Sequence, residues 1–120
     1  MQDYDIRTDV RHGPLERIDV AAIAAAATPW FNQTLCRVND SVIRLGVVEG
    51  EFHWHKHERE DEFFYVAEGR LLVDIDGGDT IDLRPGQACV VPAGMVHRTR
   101  APVRSVILMA EAAEVRPTGD

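Results

Sequence analysis

The sequence predicts an all-β domain, a small sandwich or barrel, preceded by one short helix. Three observations predict it. From Asn32 onward apolar residues recur with a period of two, the side-chain repeat of a strand. Turn signals rich in Gly and Pro fall about every ten residues, as in sandwiches and barrels. The one alanine-rich run is confined to the first quarter of the chain.

Residues 1–15 are polar and broken by Gly13-Pro14, so they read as an arm or a loose edge strand. In IDVAAIAAAATPW, Asp19 is a helix N-cap, the alanines favour helix and Pro29 stops it. Such a short helix is marginal alone and must dock on something. SVIRLGVVEG alternates Ile43, Leu45 and Val47 with Val42, Arg44 and Gly46, the pattern of a half-buried strand. EFHWHKH reads as a continuation of strand, followed by EFFYVAEG and then RLLVDIDGGDTIDL, whose Asp76-Gly77-Gly78-Asp79 signals a hairpin. Gly69 falls where a positive φ suits glycine. Arg84, Pro85 and Gly86 fit a type II turn, with Pro at its second position and Gly at its third. RPGQACVVPAGMVHRTR reads as two short strands around a Pro92/Gly94 turn that aims His97 inward, and RSVILMAEAAEV as a last apolar strand. The expected organisation is one domain: an arm and helix over 1–31, a barrel over 32–112 and a polar tail over 113–120.

Composition narrows the function. A chain of 120 residues with 45% hydrophobic and 28% charged residues has the make-up of one soluble globular domain. Its net charge of −7 argues against nucleic acid or an anionic membrane as partner, since both call for a basic face. The longest apolar run, Val20 to Ala27, is far short of the roughly 20 residues of a membrane span. The opening MQDYDIRTD lacks the basic and apolar regions of a secretory leader. Cys36 and Cys89, without CxxC spacing, read as buried thiols, and the cytoplasm is the expected address.

The chemistry concentrates in EFHWHKHEREDEF. On a strand, His53, His55 and His57 share one face, with Trp54 and Lys56 on the other. Three adjacent imidazoles are poor core material, because each carries a polar nitrogen and their charged forms repel. A metal ion with a neighbouring carboxylate resolves this, and a solvent-exposed histidine strip is the alternative.

Two spaced strings sharpen the choice. His55-x-His57 is followed after four residues by Glu62, and Gly69 comes after six more. Gly86 is followed after five residues by Pro92, then Gly94, then His97 after two. These strings resemble the two motifs of the cupin superfamily, G-x5-HxH-x3,4-E-x6-G and G-x5-P-x-G-x2-H-x3-N. The resemblance implies a cupin double-stranded β-helix, or jelly-roll barrel. It also implies one divalent transition metal ion (Fe, Mn, Ni, Zn, Co or Cu) held by His55, His57, Glu62 and His97. A homodimer acting on a small molecule is a further implication.

Two departures stand out. Gly50 lies one residue too close to His55, and Ala101 occupies the place of the closing asparagine. The first opens a rival register, His53, His55 and Glu60, but its glycine position falls at Ala67. With His55, His57 and Glu62 as ligands, His53 becomes a same-face neighbour able to hydrogen-bond a substrate. Phe64, on the face of Glu62, walls the pocket. Trp54 is expected outside the barrel. Arg98, Arg100 and Arg104 read as surface arginines, with a carboxylate substrate as their alternative role. The zinc-protease, dinucleotide, P-loop and serine-hydrolase motifs are all absent from the sequence.

Three functions fit. The first is a metal-dependent enzyme on a small oxygenated molecule, of dioxygenase, isomerase or decarboxylase type. The second is a cupin that binds or senses a metal or small ligand without turnover. The third is a metal-free isomerase or epimerase with His53 or His97 as base.

Overall fold

The computed structural model describes residues 4–120. Its strands are β1 (Asp5–Arg7), β2 (Phe31–Val38), β3 (Ser41–Glu51), β4 (Glu62–Glu68), β5 (Leu71–Ile75), β6 (Thr80–Leu83), β7 (Ala88–Val91) and β8 (His97–Ala112). One helix, α1 (Val20–Ala25), lies between β1 and β2. The strands follow the order β1-β2-β3-β8-β4-β7, with β5 joined to β8 and β6 to β5. All pairs are antiparallel except β1 with β2. The all-β fold and the single short helix match the expectation from sequence.

β8 is the hub. It pairs with β3 from Ser41↔Ala112 to Glu51↔Arg100, with β4 through its later half, and with β5 through its first residues, including Ile75↔His97. HRTR and RSVILMAEA were expected as separate strands. They are one continuous strand, because successive stretches of it find partners on both sides.

β3 is also a correction. Leu45 and Val47 lie on one of its faces and Val42, Arg44 and Val48 on the other, and all five are buried. The strand is covered on both faces rather than half-buried. One cover is the barrel interior, where Val48 packs with Phe64, Val66, Leu71, Val73, Ile107 and Met109. The other is α1, whose Ile23 and Ala24 pack with Phe31, Leu35, Leu45, Val47 and Val106. The sequence shows why α1 docks: only its burial against this outer face compensates the cost of so short a helix.

Local chemistry fixes the ends of these elements. The Asp19 carboxylate accepts a bond from the Ala22 N–H at 3.0 Å, which caps α1. The helix ends at Ala25, ahead of Pro29, and Arg104 donates to the Ala24 and Ala27 carbonyls at 2.6 and 3.1 Å. A cation on the last carbonyls of a helix is favourable, so Arg104 serves as a cap. The Gln87 N–H donates to the Arg84 carbonyl at 2.9 Å across the turn expected at Pro85-Gly86. Gly69 has φ +88°, and a Cβ there would collide with Ser105 Oγ and the Arg104 carbonyl, so β4 crosses β8 there only through glycine. Cys36 and Cys89 are both free and half-buried.

The first turn of β8 is held by one carboxylate. Asp74 on β5 accepts bonds from Arg100 at 2.6 and 3.0 Å, from Arg98 at 3.0 Å and from Thr80 at 2.7 Å. The Arg100 guanidinium, chiefly, holds the Asp74 carboxyl well below its usual range. A depressed folded-state pKa means stability that is present above the unfolded value and lost as pH falls toward the folded one. Asp74→Asn is expected to cost about 2 kcal/mol at neutral pH. The gap from the native protein should narrow as pH drops below about 4, which urea unfolding at a series of pH values will show.

Candidate metal centre

The HxH segment is not a strand. β3 ends at Glu51, and of the three histidines only His55 makes a β-bridge, with His97. A register shift between Val48 and Gly50, together with φ +88° at Gly50, turns the chain out of the ladder. The His55 N–H then donates to the His97 carbonyl and the His97 N–H to the His55 carbonyl, each at 2.9 Å. This bridge sets two of the four expected ligands side by side. Glu62 opens β4 and His97 opens β8, so both leave well-anchored strands.

His55, His57, Glu62 and His97 converge, with one ligand atom from each lying within 4.8 Å of the others. His97 Nε2 is 3.3 Å and His57 Nε2 3.4 Å from Glu62 Oε1. Adjacent ligands on an octahedral ion at about 2.1 Å stand about 3 Å apart, and opposite ones about 4.2 Å. The cluster is therefore close to the size of a coordination shell.

Proton placement favours a cation at its centre. His55 Nδ1 donates to the His53 carbonyl at 3.0 Å, and His97 Nδ1 to the Met95 carbonyl at 2.9 Å. In the neutral rings both Nε2 lone pairs then face inward, toward a carboxylate that also only accepts. His57 is 3% exposed, and neither of its ring nitrogens has a hydrogen-bond partner among the described residues. Buried acceptors facing one another call for a positive charge between them. Backbone carbonyls that fix the far nitrogen are the usual support for metal-binding histidines. The residues fit a transition metal.

Electrostatics agree for His55 and Glu62, while His97 shares its proton with Glu62 where no cation stands between them. Burial pushes the His55 imidazolium down to about 4, so this ring is neutral at physiological pH. Burial raises the Glu62 carboxyl, but His57, His97 and Glu111 outweigh it and hold Glu62 at about 2, as the carboxylate. Burial lowers His97, and Glu62 more than restores it.

Sequence reasoning missed the groups behind Glu62. Glu111 on β8 is buried beside it, and burial followed by the Glu62 charge pushes its carboxyl up to about 9. Arg44 Nε lies 2.7 Å from Glu111 Oε1, and its Nη2 donates to the Val115 carbonyl at 3.1 Å. Alternation sets Arg44 on the face opposite Ile43, Leu45 and Val47 and says nothing of what covers that face. The available signal was one charge of each sign inside two otherwise apolar strands, SVIRLGVV and SVILMAEA.

A narrow cavity opens beside the cluster. His55, Glu62 and Phe64 are among its lining residues. The centre of a water-sized sphere can sweep ≈ 40 Å³ of it, room for about three waters. His53 lies at the exposed rim: its Nε2 donates to the Thr118 carbonyl at 2.6 Å, and Tyr4 OH donates to its Nδ1 at 3.3 Å. Arg98 and Arg100 are bound to Asp74, and Arg98 also covers the exposed Trp54 ring at 4.8 Å. Neither faces the cavity. The last residues cross the mouth. Pro117 lines the cavity, the Asp120 N–H donates to the Lys56 carbonyl at 3.0 Å, and Asp120 Oδ2 accepts from the Glu58 N–H at 2.6 Å. Gly119, at φ +98°, lies so close to His55 that a Cβ would come within 2.6 Å of the His55 Cβ.

Comparison with known proteins gives a consistent family. Residues 42–109 match the family described as Cupin domain. The chain is 44% identical over 80 residues to the uncharacterized protein YdbB of Bacillus subtilis (strain 168), covering 67% of this chain and 71% of that protein. It is 50% identical over 46 residues to the polyketide synthase CurC of Streptomyces cyaneus, covering 38% of this chain but only 29% of that protein. Among solved structures, a cupin-2 domain containing protein from Shewanella frigidimarina superposes with a TM-score of 0.71 at 32% identity, over 77% of this chain and 89% of that one.

The geometry separates the histidines experimentally. His57→Ala should lower bound metal from near one ion per chain to a tenth of that or less, whereas His53→Ala should keep most of it. Elemental analysis of the two purified variants decides, and equal losses would favour the rival register. Gly119→Val should push the covering residues off His55. Its expected effect is faster removal of metal by a chelator, followed as the time course of metal release, with a thermal midpoint close to that of the native protein.

Proposed function

The chain belongs to the cupin domain family, and on that premise we propose that it is a metal-dependent enzyme acting on a small oxygenated molecule. His55, His57, Glu62 and His97 hold one divalent transition metal ion, whose identity among Fe, Mn, Ni, Zn, Co and Cu the donor set leaves open. The observation that carries the reading is the inward convergence of imidazole nitrogens on Glu62, with His57 Nε2 3.4 Å from its Oε1 and neither His57 nitrogen in a hydrogen bond. Three nitrogens and one oxygen leave positions free on a five- or six-coordinate ion, the mark of a reactive centre rather than a closed structural one. When bound, the ion supplies Lewis acidity and, if redox-active, electron transfer.

The residues of the chain do the rest. The Met95 and His53 carbonyls keep the His97 and His55 protons on the far nitrogens, so the near ones stay free as ligands. Phe64, Phe52 and Trp30 exclude water from the cavity and strengthen the electrostatics inside it. Dioxygenase, isomerase and decarboxylase chemistry all fit such a centre. The proposal takes the protein as a cytoplasmic homodimer.

A second reading, a cupin that holds a small ligand without turnover, is favoured by the narrowness of the cavity and the covered mouth. Elemental analysis before and after chelation, repeated on His97→Ala, tests both. A redox metal near one per chain, lost in the variant, together with oxygen uptake on small phenols or keto acids, supports the dioxygenase form. Zinc at the same level with turnover of an isomerase substrate supports the Lewis-acid form. Stoichiometric metal without turnover of any such substrate supports the binding reading. No metal after reconstitution overturns the proposal and moves attention to the His97–Glu62 pair as a proton-transfer unit.

A further inference from the structure

Outside the metal cluster, the described lining of the cavity carries one unmet polar group. Asn32 lines the cavity, and its Oδ1 is buried with no hydrogen-bond partner among the described residues. A buried amide oxygen left unpaired costs about 1–3 kcal/mol, and in a native fold such a group asks for a ligand or water to complete it. Its setting offers it no polar partner. Asn32 on β2 stands opposite Gly46 on β3, which is opposite Ile107 on β8. Gly46 also lines the cavity, and a Cβ there would come within 2.9 Å of Ile107 Cγ1 and 3.2 Å of Met109 Cε. The position across from Asn32 thus holds no side chain to meet the amide.

The rest of the lining defines the complement. His55 and Glu62 bring its only metal-binding groups. The rest of the lining is largely aromatic and aliphatic, including Trp30, Phe52, Phe64 and Met109, with Tyr4 and Thr99 as its other polar side chains. Among the described residues no Lys or Arg lines the cavity, so none of them offers a cation to a second anionic group. We infer that the ligand is a compact neutral-bodied molecule with three parts: metal-binding oxygens at one end, a short apolar middle, and a hydroxyl or amine at the other end that donates to Asn32 Oδ1. Asn32 is then the residue that sets specificity at that far end. This inference rests on the metal-centre reading and adds the class of ligand.

Alkyl hydroxamates are suitable probes, because the hydroxamate head chelates and the tail is neutral. Equal-length pairs ending in methyl or hydroxyl are titrated calorimetrically into the metal-loaded protein: propano- with glycolo-, butano- with 3-hydroxypropano-, and pentano- with 4-hydroxybutanohydroxamate. At one chain length the hydroxyl probe should bind about five- to tenfold tighter than its methyl partner. Asn32→Leu should reverse that preference while keeping metal content, thermal midpoint and affinity for the methyl probes. Asn32→Asp, which keeps an acceptor oxygen at the same reach, should retain it. Methyl probes binding tighter at every length, or a preference that survives Asn32→Leu, would overturn the inference and leave the metal centre standing. Failure to load metal, with no hydroxamate bound, would overturn both.

Discussion

The constraint around which this molecule is organised is the burial of one carboxylate. Glu62 is 4% exposed, and an ion of that kind taken out of water costs several kcal/mol unless its surroundings compensate. The compensation comes from four directions. His57 and His97 approach Oε1, Glu111 lies against it on the neighbouring strand, and Arg44 stands behind Glu111. Each of these groups is fixed by a different part of the chain: the loop after β3, the first residue of β8, its far end, and the middle of β3. The barrel must close for the carboxylate to be tolerated, and the closed barrel leaves the imidazoles where a cation completes them.

The same geometry explains the division of labour between the faces of the sheet. The inner face of β2, β3 and β8 carries small and polar residues, Asn32, Arg44, Gly46 and Glu111, among larger apolar ones. The outer face is mainly apolar where α1 covers it, with buried Gln33 between Phe31 and Leu35. Apolar packing holds both faces, the larger cluster lying inside the barrel around Phe64, Val66, Leu71 and Val73 and a second one under α1. The interior also keeps a cavity and unpaired polar atoms, features that cost stability and are usual at sites of function.

Much of this was legible in the sequence, because the strongest signals are local. Asp19 before an alanine run, Asp-Gly-Gly-Asp between two apolar runs, and Pro85-Gly86 each describe a few residues whose backbone chemistry is nearly self-sufficient. The four clustered side chains were legible for another reason: their spacing records two motifs of a known family. What could not be seen is what depends on partners distant in sequence. Parity sets Arg44 opposite Ile43, Leu45 and Val47, and no rule of alternation says that a strand will be covered on both faces. Nor does alternation say that the ladder stops at Glu51, which a bulge and the backbone of Gly50 decide. Glu111 and Val115 meet Arg44 only through the register of β3 on β8, and the tail reached the cavity mouth without any hydrophobic pattern to announce it.

The length and position of β8 also bear on how the protein comes to be folded. Ser41 pairs with Ala112, so the hairpins between β3 and β8 form a long excursion that must be spanned before that ladder zips up. Closing such a loop loses chain entropy early and recovers it late, and folds dominated by such pairings are slow folders. The histidines follow β3 and begin β8, so local structure alone cannot assemble them. A nascent or partly unfolded chain has the HxH pair but lacks the third imidazole beside it. An ion held by these four residues would thereby be captured only by chains that have completed the most demanding step of their topology, as a late lock on the barrel rather than a template for it.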